Sequence, residues 1–320
     1  MIGDDLGLVG ARAIHFAATA LAAGGTLFWF LIAKPALAAA GADSAGIARA
    51  YRLRLARIAG AALAVCVLSG LAWLVLLAAD ISGQKPTDAF NDNTVWVLLT
   101  QTRFGVAWIA RLAIAALLAV CLGFVMREPA KHAGAGLLPL GCAVALMGLL
   151  AWSGHAGGTP APSGDLHRLS DFLHLAAAGA WVGGLLPLAL LLRFAGTAGL
   201  GSAACVAALR FSTLGLICVG ILLATGIVNT WMLVGGLPAF IGTDYGRLLL
   251  SKICLFAAMV GLAAVNRMRL TPRLPNRRAV QQLTRNALAE TALGLIVIGI
   301  VSVLGTLPPA AHMGMPAHLH

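Results

Sequence analysis

Eight separate stretches of this 320-residue chain are each apolar over about the 20 residues that a bilayer-crossing helix needs, and they leave little chain for anything else. Their expected limits are 8–32, 56–79, 102–125, 135–154, 168–192, 208–234, 246–266 and 286–307. Inside lipid a backbone amide finds no water, so single runs of this length must be helices that satisfy their own hydrogen bonds. Composition agrees: 60% of the residues are apolar and 10% charged, against roughly a quarter charged in soluble globular chains. The expected fold class is therefore an all-α polytopic membrane protein with eight transmembrane helices.

A net charge of +11 could suggest nucleic acid, but the cations gather in the connections between spans, where they set orientation. The first, third, fifth and seventh connections and their helix ends hold fifteen of the 22 Lys and Arg residues. The opposite side has Arg12, Lys85, Arg103, Arg168 and Arg247. Both termini are thus expected to face outward, which is the periplasm for a bacterial inner (cytoplasmic) membrane, and no nucleic-acid partner is expected. The N-terminus lacks the basic stretch and small-residue cleavage site of a secretory signal, so the first span is expected to stay in the mature chain. Six cysteines (Cys66, Cys121, Cys142, Cys205, Cys218, Cys254) are scattered singly, with no Cys-x-x-Cys pair, and read as small apolar core residues.

Seven of the eight histidines fall on or near the outer side of this map: His15, His155, His167, His174, His312, His318 and His320, leaving His132 on the other. The chain also repeats internally. "RAIHFAATALAAGGTL" (12–27) lies on "DFLHLAAAGAWVGGLL" (171–186) at a shift of 159, matching His15 to His174 and Gly24 to Gly183. Span two repeats at a shift of 156, and "TRFGVAWIARL" (102–112) lies on "TDYGRLLLSKI" (243–253) at a shift of 141, matching Arg111 to Lys252. Two parallel four-helix repeats are expected, 1–154 and 168–309, joined by a His-containing outer connection, 155–167, and followed by a His/Met-rich tail, 310–320. The matched histidines are then expected to converge near the outer surface.

An ionisable residue inside a span is costly and is by default functional or turned to the bundle interior. His15 and His174 read either as metal ligands or as histidines bonded to a neighbouring helix. Imidazole suits copper, zinc and haem iron, and thioether adds a preference for cuprous copper; the tail "HMGMPAHLH" holds His312, Met313, Met315, His318 and His320. The eleven residues 310–320 reach at most about 36 Å when extended. The tail also reads as a disordered segment with chance histidines. His167 and His174 are seven apart, about 10 Å along a continuous helix, so they would be successive stations rather than one site. His155 is placed to bridge arm and bundle. Arg12 and Asp171 occupy matched positions, and are expected either to pair or, for Asp171, to orient His174. Arg111 and Lys252 have four readings: anchoring anionic membrane lipid, pairing with acids, holding haem propionates, or snorkelling. Glu290 is expected to pair with Arg267 or its neighbours, and Met147, Met232 and Met259 to be packing residues.

The runs "HLAAAGAWVGGLLPL", "WSGHA", "YGRLLLSKICLFAAMVGLAAVNRMRLTPRL" and "LGTLPP" resemble the copper resistance protein CopD family. That resemblance covers most of the chain, from Trp152 to Pro309 above all, and implies an eight-span inner membrane protein of copper homeostasis. It implies copper movement from periplasm inward, alongside a separate periplasmic copper carrier of the CopC type. The cargo expected is a copper ion, Cu+ or Cu2+. Two alternatives stay open. One is a b-type haem membrane cytochrome with His15 and His174 as axial ligands; the other is a copper-binding membrane protein that does not transport. No phosphate-binding Gly-x-x-x-x-Gly-Lys-Ser/Thr loop occurs, and the chain is not expected to be an enzyme.

Overall fold

The computed structural model describes residues 6–41, 45–91, 93–127, 136–160, 162–197 and 200–312. Among them there is no strand, and eight principal helices carry the architecture. These are α1 (Leu6–Ala38), α2 (Ala45–Ser82), α3 (Arg103–Arg127), α4 (Leu137–Gly148), α5 (Gly164–Thr197), α6 (Gly201–Val234), α7 (Asp244–Val265) and α8 (Arg277–Leu304). All but α4 are long and apolar enough to cross a membrane, so the chain is an all-α, multi-pass membrane protein. The fourth expected span differs: α4 hands over at Leu149 to a 3₁₀ stretch ending at Ser153. At about 1.5 Å per α-residue and 2.0 Å per 3₁₀-residue its length is still about 28 Å, close to the hydrocarbon thickness.

The two long helices that begin the matched segments form the centre. The apolar windows of α1 and α5 are each 67% buried inside the protein, whereas that of α7 is 11% buried and faces outward. α1 and α5 cross at small residues: a Cβ added at Gly24 would stand 2.5 Å from Gly179 O and from Gly183 Cα, and one at Gly183 would collide with Ala20 O. Ala20, Gly24, Gly179 and Gly183 are two small-x-x-x-small pairs, and in lipid this backbone approach replaces the hydrophobic drive that water supplies elsewhere. Around this pair, α2 and α4 pack on α1, and α6 and α8 pack on α5.

A proline in a helix leaves the carbonyl four residues before it without its backbone donor, and at Pro35 a side chain takes its place. Pro35 lacks the N–H that Leu31 O would accept in an α-helix; the chain makes a π-helical turn there, and Arg210 Nη1 on α6 donates to Leu31 O at 3.0 Å. Pro187 lies inside the unbroken α5, and Tyr51 on α2 ties the two helices by donating its hydroxyl to Pro187 O at 2.8 Å. Helices α3 and α7 begin alike. Thr102 Oγ1 accepts from Gly105 N at 3.1 Å and donates to Leu98 O; Thr243 Oγ1 accepts from Gly246 N at 3.0 Å and donates to Ala239 O. Each threonine therefore caps its own helix and ties it to the short helix before it.

Candidate functional site

Two polar clusters lie in the helical bundle, one around each matched histidine. His15 on α1 is 4% exposed. Its Nδ1 stands 2.9 Å from Cys66 O on α2 and 3.4 Å from Ser69 Oγ, and its Nε2 stands 2.7 Å from Arg111 Nη2 on α3. A carbonyl only accepts and a guanidinium only donates, so the tautomer assigned from these partners carries its proton on Nδ1, and the Nε2 lone pair belongs to Arg111. Arg111 is itself 4% exposed and also donates from Nε to Leu146 O at 3.4 Å. Trp73 packs its ring 5.4 Å from the imidazole and lies under the Arg12 guanidinium, with Cζ 5.2 Å from the ring centre. Thr19 Oγ1 donates to His15 O at 2.7 Å and lies 3.2 Å from Cys66 Sγ. A void of about 20 Å³ remains beside these groups, room for about one water.

The second cluster has the same plan and a different outcome. His174 Nδ1 on α5 stands 2.9 Å from Thr225 Oγ1 on α6, and that hydroxyl gives its one proton to Ile221 O at 2.6 Å. Thr225 must therefore accept from His174, which puts the imidazole proton on Nδ1 and the lone pair on Nε2. Among the described residues, Nε2 has no hydrogen-bond partner. Asp171, three residues earlier, accepts from Asn229 Nδ2 at 3.0 Å, and Asn229 Oδ1 accepts from Ser170 Oγ at 2.7 Å. The Lys252 ammonium on α7 acts by charge on both Asp171 and His174, and Asp171 in turn on Tyr245.

The two sets correspond position by position. Ser69-Gly70 and Thr225-Gly226 each bring a hydroxyl to Nδ1, and a Cβ on either glycine would stand 3.0 Å from His15 Cε1 or 3.8 Å from His174 Cε1. Arg12 meets Trp73, and Asp171 meets Asn229, at the same places in the two halves. What differs is the cation from the third helix. The planar fork of Arg111 reaches the imidazole and occupies Nε2, whereas the ammonium of Lys252 leaves it open.

Several expectations are corrected by this geometry. His15 and His174 do not converge: one is bonded to α2 and α3, the other to α6, and the faces that meet between α1 and α5 carry glycine. A bis-histidine haem does not fit them, because the iron would need both Nε2 lone pairs and one belongs to Arg111, beside a void far smaller than a macrocycle. Arg111 neither snorkels nor pairs with an acid. Arg12 does not pair with Asp171 but donates from Nη1 to Gly305 O at 3.1 Å, an approach that the absent side chain of Gly305 permits. Nor does Asp171 orient His174; Thr225 does. Glu290 accepts from Asn266 Nδ2 at 2.7 Å, while Arg267 Nη1 donates to Ser212 Oγ at 2.8 Å.

The remaining expected residues lie above the second cluster. Helix α5 is continuous from Gly164, so His167 and His174 share it seven residues apart. His167 is 1% exposed, with Nδ1 2.8 Å from Thr159 Oγ1. His155 Nε2 donates to Leu304 O at 3.1 Å, at the C-terminal end of α8, and its ring lies 6.0 Å from that of Tyr245. The backbone is described as far as His312, in the turn Ala310–His312. The His312 side chain, Met313, Met315, His318 and His320 lie outside the described residues, and among the described ones no three His, Cys, Asp or Glu side chains form a metal cage. Cys66, Ser69, Trp73, Thr225 and Asn229 were not marked by the sequence as site residues.

Comparison with known proteins follows the same division into halves. Residues 2–165 match the family described as copper resistance protein D-like, N-terminal domain, and residues 205–304 match copper resistance protein D. Copper resistance protein D of Pseudomonas syringae pv. tomato is 33% identical over 267 residues, covering 78% of this chain and 85% of its own. Inner membrane protein YebZ of Escherichia coli strain K12 is 33% identical over 231 residues, 72% of this chain and 77% of its own. Copper transport protein CutJ of Bacillus subtilis strain 168 is 29% identical over 221 residues, 69% of this chain and 40% of its own length. No solved structure matches. With both family descriptions matched and relatives a third identical over most of its length, the chain belongs to the copper resistance protein D family.

Proposed function

We propose that this protein is a copper carrier of a bacterial inner membrane, moving the ion from the periplasmic side toward the cytoplasm, and not an enzyme. Support comes from the family, from relatives named for copper resistance, copper transport and the inner membrane, and from the seven long apolar helices. The observation that carries the reading is the state of His174. Its Nδ1–H is anchored on Thr225, so the lone pair is on Nε2, without a partner among the described residues, the arrangement of a metal-ligating histidine with a hydrogen-bonded orienting partner. The second cluster is thus the copper station, and the first is its structural counterpart, closed by Arg111.

One imidazole does not complete a copper shell. The His/Met tail, His312 to His320, supplies further soft ligands, delivering copper past His155 and His167 to His174, with a separate carrier of the CopC type as the source. The matched corners at Thr102 and Thr243 and the matched clusters support two parallel four-helix repeats, 1–154 and 168–309, with α4 completing eight spans and both termini periplasmic. The test is copper uptake into proteoliposomes. Wild type is expected to fill the vesicles and His174→Ala to fall to the level of empty liposomes. Equal uptake by wild type and empty vesicles leaves a copper-binding protein that does not transport, and rejects the carrier.

A further inference from the structure

A second buried polar group lies at the other end of the same half. Glu290 on α8 is 1% exposed and opens on a cavity of about 180 Å³ between α5, α6, α7 and α8, walled largely by apolar side chains such as Trp181, Phe211 and Leu283. Three side-chain amides point their donors toward it in series. Gln282 Nε2 donates to Asn286 Oδ1 at 3.1 Å, Asn286 Nδ2 to Asn266 Oδ1 at 2.6 Å, and Asn266 Nδ2 to Glu290 Oε1 at 2.7 Å. Asn266 is held for this by the π-helical turn Asn266–Leu270 that ends α7, with Thr271 Oγ1 on its carbonyl at 2.8 Å.

A carboxylate within a membrane span needs a cation or a proton. Among the residues lining the cavity from all four helices, Arg267 is the one other charged or titratable group, and its guanidinium is turned to Ser212. Further charged side chains near that end, Arg193 on α5, Arg210 on α6, Arg269 in the π-helical turn after α7 and Arg285 on α8, are exposed and do not line the cavity. Oxygen and amide groups do not suit cuprous copper, and Glu290 is the one carboxylate lining the cavity, which leaves too little anionic oxygen for a hard metal ion. The cavity has room for several waters.

We propose that Glu290 is a proton-binding site, loaded and emptied through this cavity at the arginine-rich end of the bundle. The inference goes beyond the copper reading and stands without it. It is tested on the purified full chain with N,N′-diisopropylcarbodiimide, an apolar reagent that captures a protonated carboxyl. The acid O–H adds across one C=N bond, and the acyl group then shifts to nitrogen, giving a stable N-acylurea with no atom lost. Mass spectrometry is expected to find the adduct on Glu290 at a pH where exposed Asp88 is unlabelled, to see it fade as pH rises, and to find none in Glu290→Gln. That variant keeps an oxygen for Asn266, and its elution as wild type shows that it folds. Ala264→Leu, which fills part of the cavity wall, is expected to slow labelling several-fold. No Glu290 adduct at any pH in folded protein, labelling that does not vary with pH, or an unchanged rate in Ala264→Leu overturns the proposal.

Discussion

Thr225 and Arg111 decide what the two histidines can do, and neither effect is visible in a pattern of histidines. Threonine in an apolar helix ordinarily returns its hydroxyl to the carbonyl four residues back, as Thr225 does to Ile221, and so reads as inert. Its second role, accepting from His174, needs the neighbouring helix. Replacing it by valine keeps the shape and removes the acceptor, so Thr225→Val is expected to lower copper affinity about 10–100-fold, as measured by competition with a cuprous chelator. Unchanged affinity would deny Thr225 the orienting role. Arg111→Met is expected to act on the fold instead. It leaves His15 Nε2 buried without its donor, at a cost of about 1–3 kcal/mol, read as a lower melting temperature with copper affinity unaltered. Sequence reasoning marked His15, His174, Arg111 and Lys252, but gave the arginine four roles and not the one it has. The aligned pairs Ser69-Gly70 and Thr225-Gly226, at the same shift of 156, were the available signal for the hydroxyls.

At the scale of helices, the expectation that the two imidazoles converge failed for a reason already present in the spacing. Gly24 follows His15 by nine residues and Gly183 follows His174 by nine, and at about 100° per residue nine steps place them roughly 180° apart on the helix. When the glycines meet between α1 and α5, the histidines must point away from each other. The helices themselves were legible, because hydrophobic length fixes them; the 3₁₀ end of α4 was not, since hydrophobic length does not distinguish an α-turn from a 3₁₀ turn. The crossing makes its own prediction. Gly183→Leu forces a bulky side chain into the backbone of Ala20 and is expected to abolish the monodisperse folded protein in detergent, whereas Gly220→Leu, at a site with open space, is expected to be tolerated. Equal gel-filtration profiles for the two variants would show that the crossing does not govern packing.

For the whole molecule, the two polar clusters put one open and one closed histidine in a single chain. The matched segments pointed to both histidines, but which of them keeps an available ligand depends on whether the third helix offers the fork of an arginine or the ammonium of a lysine. The arrangement of charge is the basis of the proposed direction, with the cation-poor end, which holds His155, His167 and His174, facing the periplasm. In a cysteine-free background, Lys85→Cys is expected to react with an impermeant thiol reagent added to intact spheroplasts, and Arg273→Cys only after lysis; the reverse pattern would invert the bundle. The central claim is that copper is held by the second half through His174 and not by the first through His15. X-ray absorption of the cuprous protein tests it most directly. The imidazole scattering of the wild type is predicted to weaken in His174→Ala, by the one ligand lost, and to be unchanged in folded His15→Ala; a signal that the first substitution leaves unchanged, or that the second weakens, would contradict the account.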